Sequence, residues 1–122
     1  MAVAYGKGPK GKATRLHSLV VRKRGRCQRC GSTANLQCAH IIGRKFSATR
    51  TDENNAWCLC ASCHARFTDH PDEHMAFVAE TIGMDAFDVL KRKALDNPRP
   101  WRESMWQEEV DRLQAIIDSW EG

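Results

Sequence analysis

The chain has 122 residues, a net charge of +4 and 42% hydrophobic residues. That length suits one compact domain of moderate burial capacity, in which a stretch short of helices needs a staple. The apolar residues nowhere approach the roughly 18-residue run of a membrane span, and no charged head followed by a long apolar segment marks a leader. A soluble, cytoplasmic protein with no membrane contact is expected.

The small net charge hides a division. Residues 1 to 51 hold twelve lysines and arginines and no acid, whereas residues 52 to 122 hold seven bases and all fifteen acids, so the halves carry +12 and −8. A basic half of this kind offers a face to a polyanion, with nucleic acid the first candidate. A solvated basic tail would give the same composition.

In chain order, residues 1–13, "MAVAYGKGPKGKA", are rich in Gly, Pro and Lys without periodicity and read as a flexible basic arm. Leu16, Leu19 and Val20 recur at helical spacing, which predicts a short helix over 14–24 that presents Arg15, Arg22, Lys23 and Arg24 to a partner and stops at Gly25. "CQRCG" reads as a tight knuckle, "NLQCAHII" as a strand and "GRKFSATRTDEN" as a polar connecting loop. A helix is expected to begin near Ala61 or Ser62. Pro71 suits the first position of the next one, which carries Asp72 and Glu73 in its first turn and stops at Gly83. "MDAFDVLKRKAL" is a third helix, broken by "DNPRP". The last, from Trp101 to Trp120, places Trp106, Val110, Leu113, Ile117 and Trp120 on one stripe, for core packing or a dimer contact.

Six cysteines stand at positions 27, 30, 38, 58, 60 and 63. Cys27 with Cys30, and Cys60 with Cys63, form two Cys-x-x-Cys pairs. Two such knuckles separated by a moderate loop predict a tetrahedral structural zinc site, because each offers two thiolates at the right bite. A disulfide framework needs a secretory context that nothing in the chain marks, and two knuckles together argue against a redox pair. Zinc binding amounts to roughly 10 to 16 kcal/mol in small modules, enough to decide whether a core of this size folds. Cys38 and Cys58 are left over, as small apolar core residues.

A strand histidine, His40, then the pair Asn54 and Asn55, then a helix histidine, His64, directly after Cys63, follow one another among the knuckles. The stretch "CQRCGSTANLQCAHIIGRKFSATRTDENNAWCLCASCHARF", about a third of the chain, resembles the HNH endonuclease family of ββα-metal nucleases. The match is to the bacteriophage and prophage form, which reads His-Ile-Ile-x-Arg and then Asn-x-x-x-Leu-Cys-x-x-Cys-His. The three letters of the motif fall on His40, on Asn55 four residues before Leu59, and on His64. The resemblance implies a small ββα-metal core stapled by the four cysteines; together with the elements above, an α+β fold is expected, with that core and its N-terminal helix over 14–70 and a helical extension packed on it over 71–122. It also implies metal-dependent hydrolysis or nicking of double-stranded DNA, leaving a 5′ phosphate and a 3′ hydroxyl. More weakly, it implies a place near phage packaging machinery in an infected or lysogenic host.

The chemistry agrees with those roles. A phosphodiester is anionic and resists attack, so a nuclease needs a base for the water and a cation for the phosphate and the leaving 3′ oxygen. His40 would be the base. His64 would ligate the catalytic ion, Mg²⁺ or Mn²⁺, with Zn²⁺ or Ni²⁺ as alternatives. Asn55 would fix the loop or orient the His40 ring, and Arg44 and Arg50 would grip phosphates. Each has a plain structural alternative: a core histidine, a turn asparagine, a surface histidine, a solvated arginine.

One position departs from the family. Where it usually keeps Asp or a second His as a metal ligand, this chain has Ala39. The replacement would come from Cys38, Asp69, His70 or His74; the turn before Pro71 lets His70 fold back toward His64, and Cys38 would soften the site toward zinc. Ala39 also speaks for a second class, a non-catalytic zinc-knuckle DNA-binding module. A third class is an interaction protein whose C-terminal helices bind a partner.

Overall fold

The computed structural model describes residues 5–120. Among them the chain runs α1 (Gly8–Arg22), β1 (Leu36–His40), α2 (Ser47–Arg50), a 3₁₀ turn (Glu53–Asn55), β2 (Ala56–Cys60), α3 (Ala61–Asp69), α4 (Pro71–Thr81), α5 (Met84–Asp96) and α6 (Glu103–Ser119). The fold is therefore α+β, with six helices around one two-stranded antiparallel sheet.

The flexible arm expected through residue 13 gives way to helix at Gly8, and residues 1–4 of it lie outside the described residues. Pro9 fits the first helical turn because the N–H it lacks would have no partner there. Gly11 lets the preceding segment fold back onto the helix, since a Cβ at that position would overlap the carbonyl oxygen of Gly6.

Two faces of α1 are buried. Ala13 and Leu16 pack against Trp106, Val110 and Leu113 of α6, so the apolar stripe of α6 is core, with Trp120 exposed beyond its end. The second face is Thr14, His17, Ser18 and Val21, an i, i+3, i+4, i+7 set. On it, Val21 meets Ala56 and Cys58 of the sheet.

The strands pair from Leu36↔Cys60 to His40↔Ala56. Side chains alternate, so Cys38, His40, Ala56 and Cys58 point toward α1, and Gln37, Ala39, Trp57 and Leu59 point the other way. On that second side Ala39, Trp57 and Leu59 share a core with Phe67 of α3 and Val78 of α4. All five residues of β2 are buried, which is why "AWCLC" shows no polar alternation. The outer edge of β1 pairs with no strand among the described residues. The segment read as a polar loop contains α2, whose Ser47, Ala48 and Thr49 are buried. No helix among the described residues is long and apolar enough to cross a membrane.

Candidate functional site

The strand register brings the two knuckles together. Cys60 closes β2 opposite Leu36, and Cys63 lies in the first turn of α3. The sulfurs of Cys27, Cys30, Cys60 and Cys63 lie within 4.8 Å of one another, those of Cys30 and Cys60 at 3.7 Å. Tetrahedral thiolates about 2.3 Å from a zinc ion stand roughly 3.8 Å apart, so the group fits such an ion. In each knuckle the second cysteine donates its backbone N–H to the first sulfur, Cys30 to Cys27 and Cys63 to Cys60, both at 3.5 Å. Cys60 thereby caps α3.

These donors act on the thiols. Burial alone would raise Cys27, but backbone N–H groups of Cys30, Cys60 and Arg29 outweigh it and bring the thiol down to about 6. Burial pushes Cys63 up to about 12 despite the Arg29 guanidinium, whose Nη1 donates to its sulfur at 3.4 Å. All six cysteines are free thiols, and the four knuckle cysteines form a cluster that can hold a metal ion.

A second feature sits on the free edge of β1. There an open cleft of about 640 Å³ runs between Thr14, Ser18 and Arg22 of α1 and His64 of α3, with Cys38 and His40 along the strand and Arg44 at one end. Its described lining includes two arginines and no carboxylate. The cleft draws its walls almost wholly from the acid-free half of the chain.

His40 donates Nε2–H to the carbonyl of Arg50 at 2.8 Å, which leaves Nδ1 bare. Burial, helped by the Arg44 and Arg50 guanidinium groups and by the neighbouring His17 ring and opposed by that hydrogen bond, lowers its pKa to about 4, so the ring is neutral at physiological pH. His64 donates Nδ1–H to Oε1 of Gln37 at 2.7 Å and keeps Nε2 bare. Asn55 is fully buried, and its side-chain hydrogen bonds go to the loop and not to His40. Its Oδ1 accepts from Ile42 N at 2.8 Å, and its Nδ2 donates to the carbonyls of Ile42 and Thr49 at 2.9 and 3.0 Å. The amide thus pins the loop whose next carbonyl, that of Arg50, orients the His40 ring.

The remaining candidates divide. Arg22 and Arg44 line the cleft. Arg50 is instead a brace, its Nε on Thr14 Oγ1 at 2.9 Å and its Nη1 on the carbonyl of Arg44 at 3.3 Å. Arg24 is a brace too, donating to the carbonyls of Ala56 and Glu53, both at 2.8 Å. The ammonium of Lys23 lies 5.1 Å from the ring centre of Trp120. His70, expected to fold back toward His64, caps α4 and faces Glu73 at 3.5 Å, and it does not line the cleft. His74 accepts from Trp57 Nε1 at 2.9 Å and stacks on Phe67. Ala39 is buried in the core.

The pattern reading overlooked His17. It is fully buried on α1, donates Nε2–H to the carbonyl of Asp52 at 3.0 Å, and holds Nδ1 3.8 Å from the sulfur of Cys38. Its ring centre is 5.3 Å from that of His40. The polar set Thr14, His17 and Ser18, running beside the apolar stripe of α1, is the signal that could have found it.

The chain matches no protein-family model, no curated protein and no solved structure.

Proposed function

We propose that the protein is a metal-dependent DNA endonuclease of the HNH type, with zinc in the four-cysteine cluster and the chemistry in the cleft. One observation carries this reading. His40 and His64 line the same acid-free cleft, each with one ring nitrogen fixed by a protein acceptor and the other bare, while Asn55 locks the loop that orients His40. His40 on β1, Asn55 in the 3₁₀ turn that leads into β2, and His64 on α3 follow a strand, strand and helix order that supports a ββα-metal core.

The residues' own roles follow from their surroundings. Arg22 and Arg44 meet the phosphate of an entering strand, supplying charge that positions without reading sequence. Nδ1 of His40 takes the proton of the attacking water, and the Arg50 carbonyl, already bonded to Nε2–H, stabilises the positive charge that develops on the ring. When bound through Nε2 of His64, a divalent ion would offset the charge on the phosphate and the leaving 3′ oxygen. An imidazole with no carboxylate beside it suits Ni²⁺ or Zn²⁺ better than Mg²⁺.

The second reading, a zinc-knuckle DNA-binding module without catalysis, is favoured by Ala39, which is 4% exposed among core residues where the family keeps a ligand. Supercoiled plasmid with Mn²⁺ separates the two. Wild type is expected to nick it and His40→Ala to be slower by about 10²- to 10⁴-fold, the usual contribution of a positioned base. Equal rates would remove His40 as the base, and binding without nicking by the wild type would establish the binding module instead.

A further inference from the structure

We propose that His17, Cys38 and His40 form a second, thiophilic metal site, distinct from the four-cysteine cluster, which takes Zn²⁺ and in doing so withdraws His40 from its role as base. The three residues come from α1 and the facing side of β1, and their ligand atoms lie within 4.8 Å of one another. The separation of Cys38 Sγ from His17 Nδ1, 3.8 Å, is close to the roughly 3.6 Å between a sulfur and a nitrogen on a tetrahedral zinc ion. Closing the remaining gaps takes side-chain shifts of about an ångström, against ligand separations of roughly 3.3 to 3.8 Å in such a site.

The environment of the imidazoles is the second, independent observation. Metal-ligating histidines characteristically donate their other ring N–H to a carbonyl or carboxylate, which fixes tautomer and orientation. Both rings do so here, His17 to the carbonyl of Asp52 and His40 to that of Arg50. Each therefore keeps its remaining nitrogen unprotonated without any ion present. A thiol joined to two neutral imidazoles is a donor set that selects zinc over magnesium or calcium.

Binding is a simple exchange. The S–H bond of Cys38 breaks, its proton passes to solvent, and the sulfur electron pair forms the bond to zinc, while the two imidazoles contribute lone pairs. Three protein ligands leave one position, and because Cys38 and His40 line the cleft, that position opens into it. Zinc would then have two opposed effects, supporting the fold through the four cysteines and blocking the base through the triad. The blocking effect rests on the nuclease reading; the binding does not.

The full chain, saturated with Zn²⁺ and passed through gel filtration, is expected to retain two zinc ions per chain by elemental analysis. Cys38→Ser and Cys38→Ala are each expected to retain one, with the melting transition still present. Co²⁺ in place of zinc should show thiolate charge-transfer absorption that loses one component in the same variants. A wild type that saturates at one ion, or a Cys38→Ser protein that keeps two, would overturn the site. In plasmid nicking, the second equivalent of zinc is expected to slow the wild type by about 10²-fold or more, and Cys38→Ser to be relieved of that inhibition. A two-to-one count with no nicking by any protein removes the nuclease reading alone, whereas one ion in a wild type that nicks removes this inference alone.

Discussion

The four-cysteine cluster and the His17–Cys38–His40 triad stand toward opposite ends of one short hairpin, near the Leu36↔Cys60 pair and the His40↔Ala56 pair respectively. The first is all sulfur, assembled from two copies of one local motif, and its own backbone donates to it in each knuckle. A tetrahedral ion there has every position filled by protein. The second mixes imidazole and thiol, draws on a helix and a strand, takes its second-sphere acceptors from distant carbonyls, and opens onto a cleft. A closed donor set holds chain together, and an open one leaves room for a reacting group. On the proposed reading, one end of the hairpin serves stability and the other chemistry.

The largest expected effect is at the closed end. With zinc in the cluster, stripping the metal with a strong chelator would remove a contribution of roughly 10 to 16 kcal/mol, comparable with or larger than the whole net stability of an ordinary domain, and replacing Cys60 by Ser would remove part of it. Loss of the cooperative melting transition by circular dichroism is the expected result; an unchanged transition in the metal-free protein would deny the cluster its structural role.

Asn55→Ala should come next. It leaves the N–H and the carbonyl of Ile42 without a partner and takes one donor from the Thr49 carbonyl, which keeps the backbone N–H of Asp52, around a buried hole, at a cost of about 3 kcal/mol, since each buried group left without a partner costs ~1 to 3 kcal/mol. Urea unfolding measures this, and it sharpens the comparison because the knuckles should keep their zinc while the cleft loop loosens.

The smallest effect is a pH slope. Burial, its largest cause, lowers the pKa of His17 from 6.5, so the folded protein resists a proton that the unfolded chain accepts. The unfolded state then binds more protons below about pH 6.5, and stability falls as pH drops through that window and is retained above it. His17→Gln, which can still donate to Asp52, should flatten the slope between pH 7 and 5 by up to about 1.4 kcal/mol per pH unit, one proton's worth. Parallel slopes in the two proteins would show that His17 does not stay neutral in the fold.

Legibility in the sequence followed the same division. The knuckles were readable because Cys-x-x-Cys is a local spacing with one dominant chemistry, and Pro71 and Gly83 marked helix boundaries through local backbone constraints. The start of α1 was not, because a Gly, Pro and Lys-rich stretch carries no apolar period; what makes it helical is the burial of Ala13 against α6, more than ninety positions away in the chain. The strand "AWCLC" was hidden by burial on both faces. His17 escaped notice for a related reason, since its partners are supplied by β1 and by the carbonyl of Asp52, and no spacing on α1 announces them. Arg24 and Arg50, grouped with the phosphate-facing bases by charge alone, find carbonyl and hydroxyl acceptors that only the folded chain brings within reach.

One preparation of His40→Ala, read for zinc content, melting and plasmid nicking together, tests the division between the two ends of the hairpin most directly. A filled four-cysteine cluster, a cooperative transition close to that of the wild type, and nicking reduced by about 10²- to 10⁴-fold are expected. Nicking at the wild-type rate by a folded, zinc-loaded His40→Ala protein would contradict it.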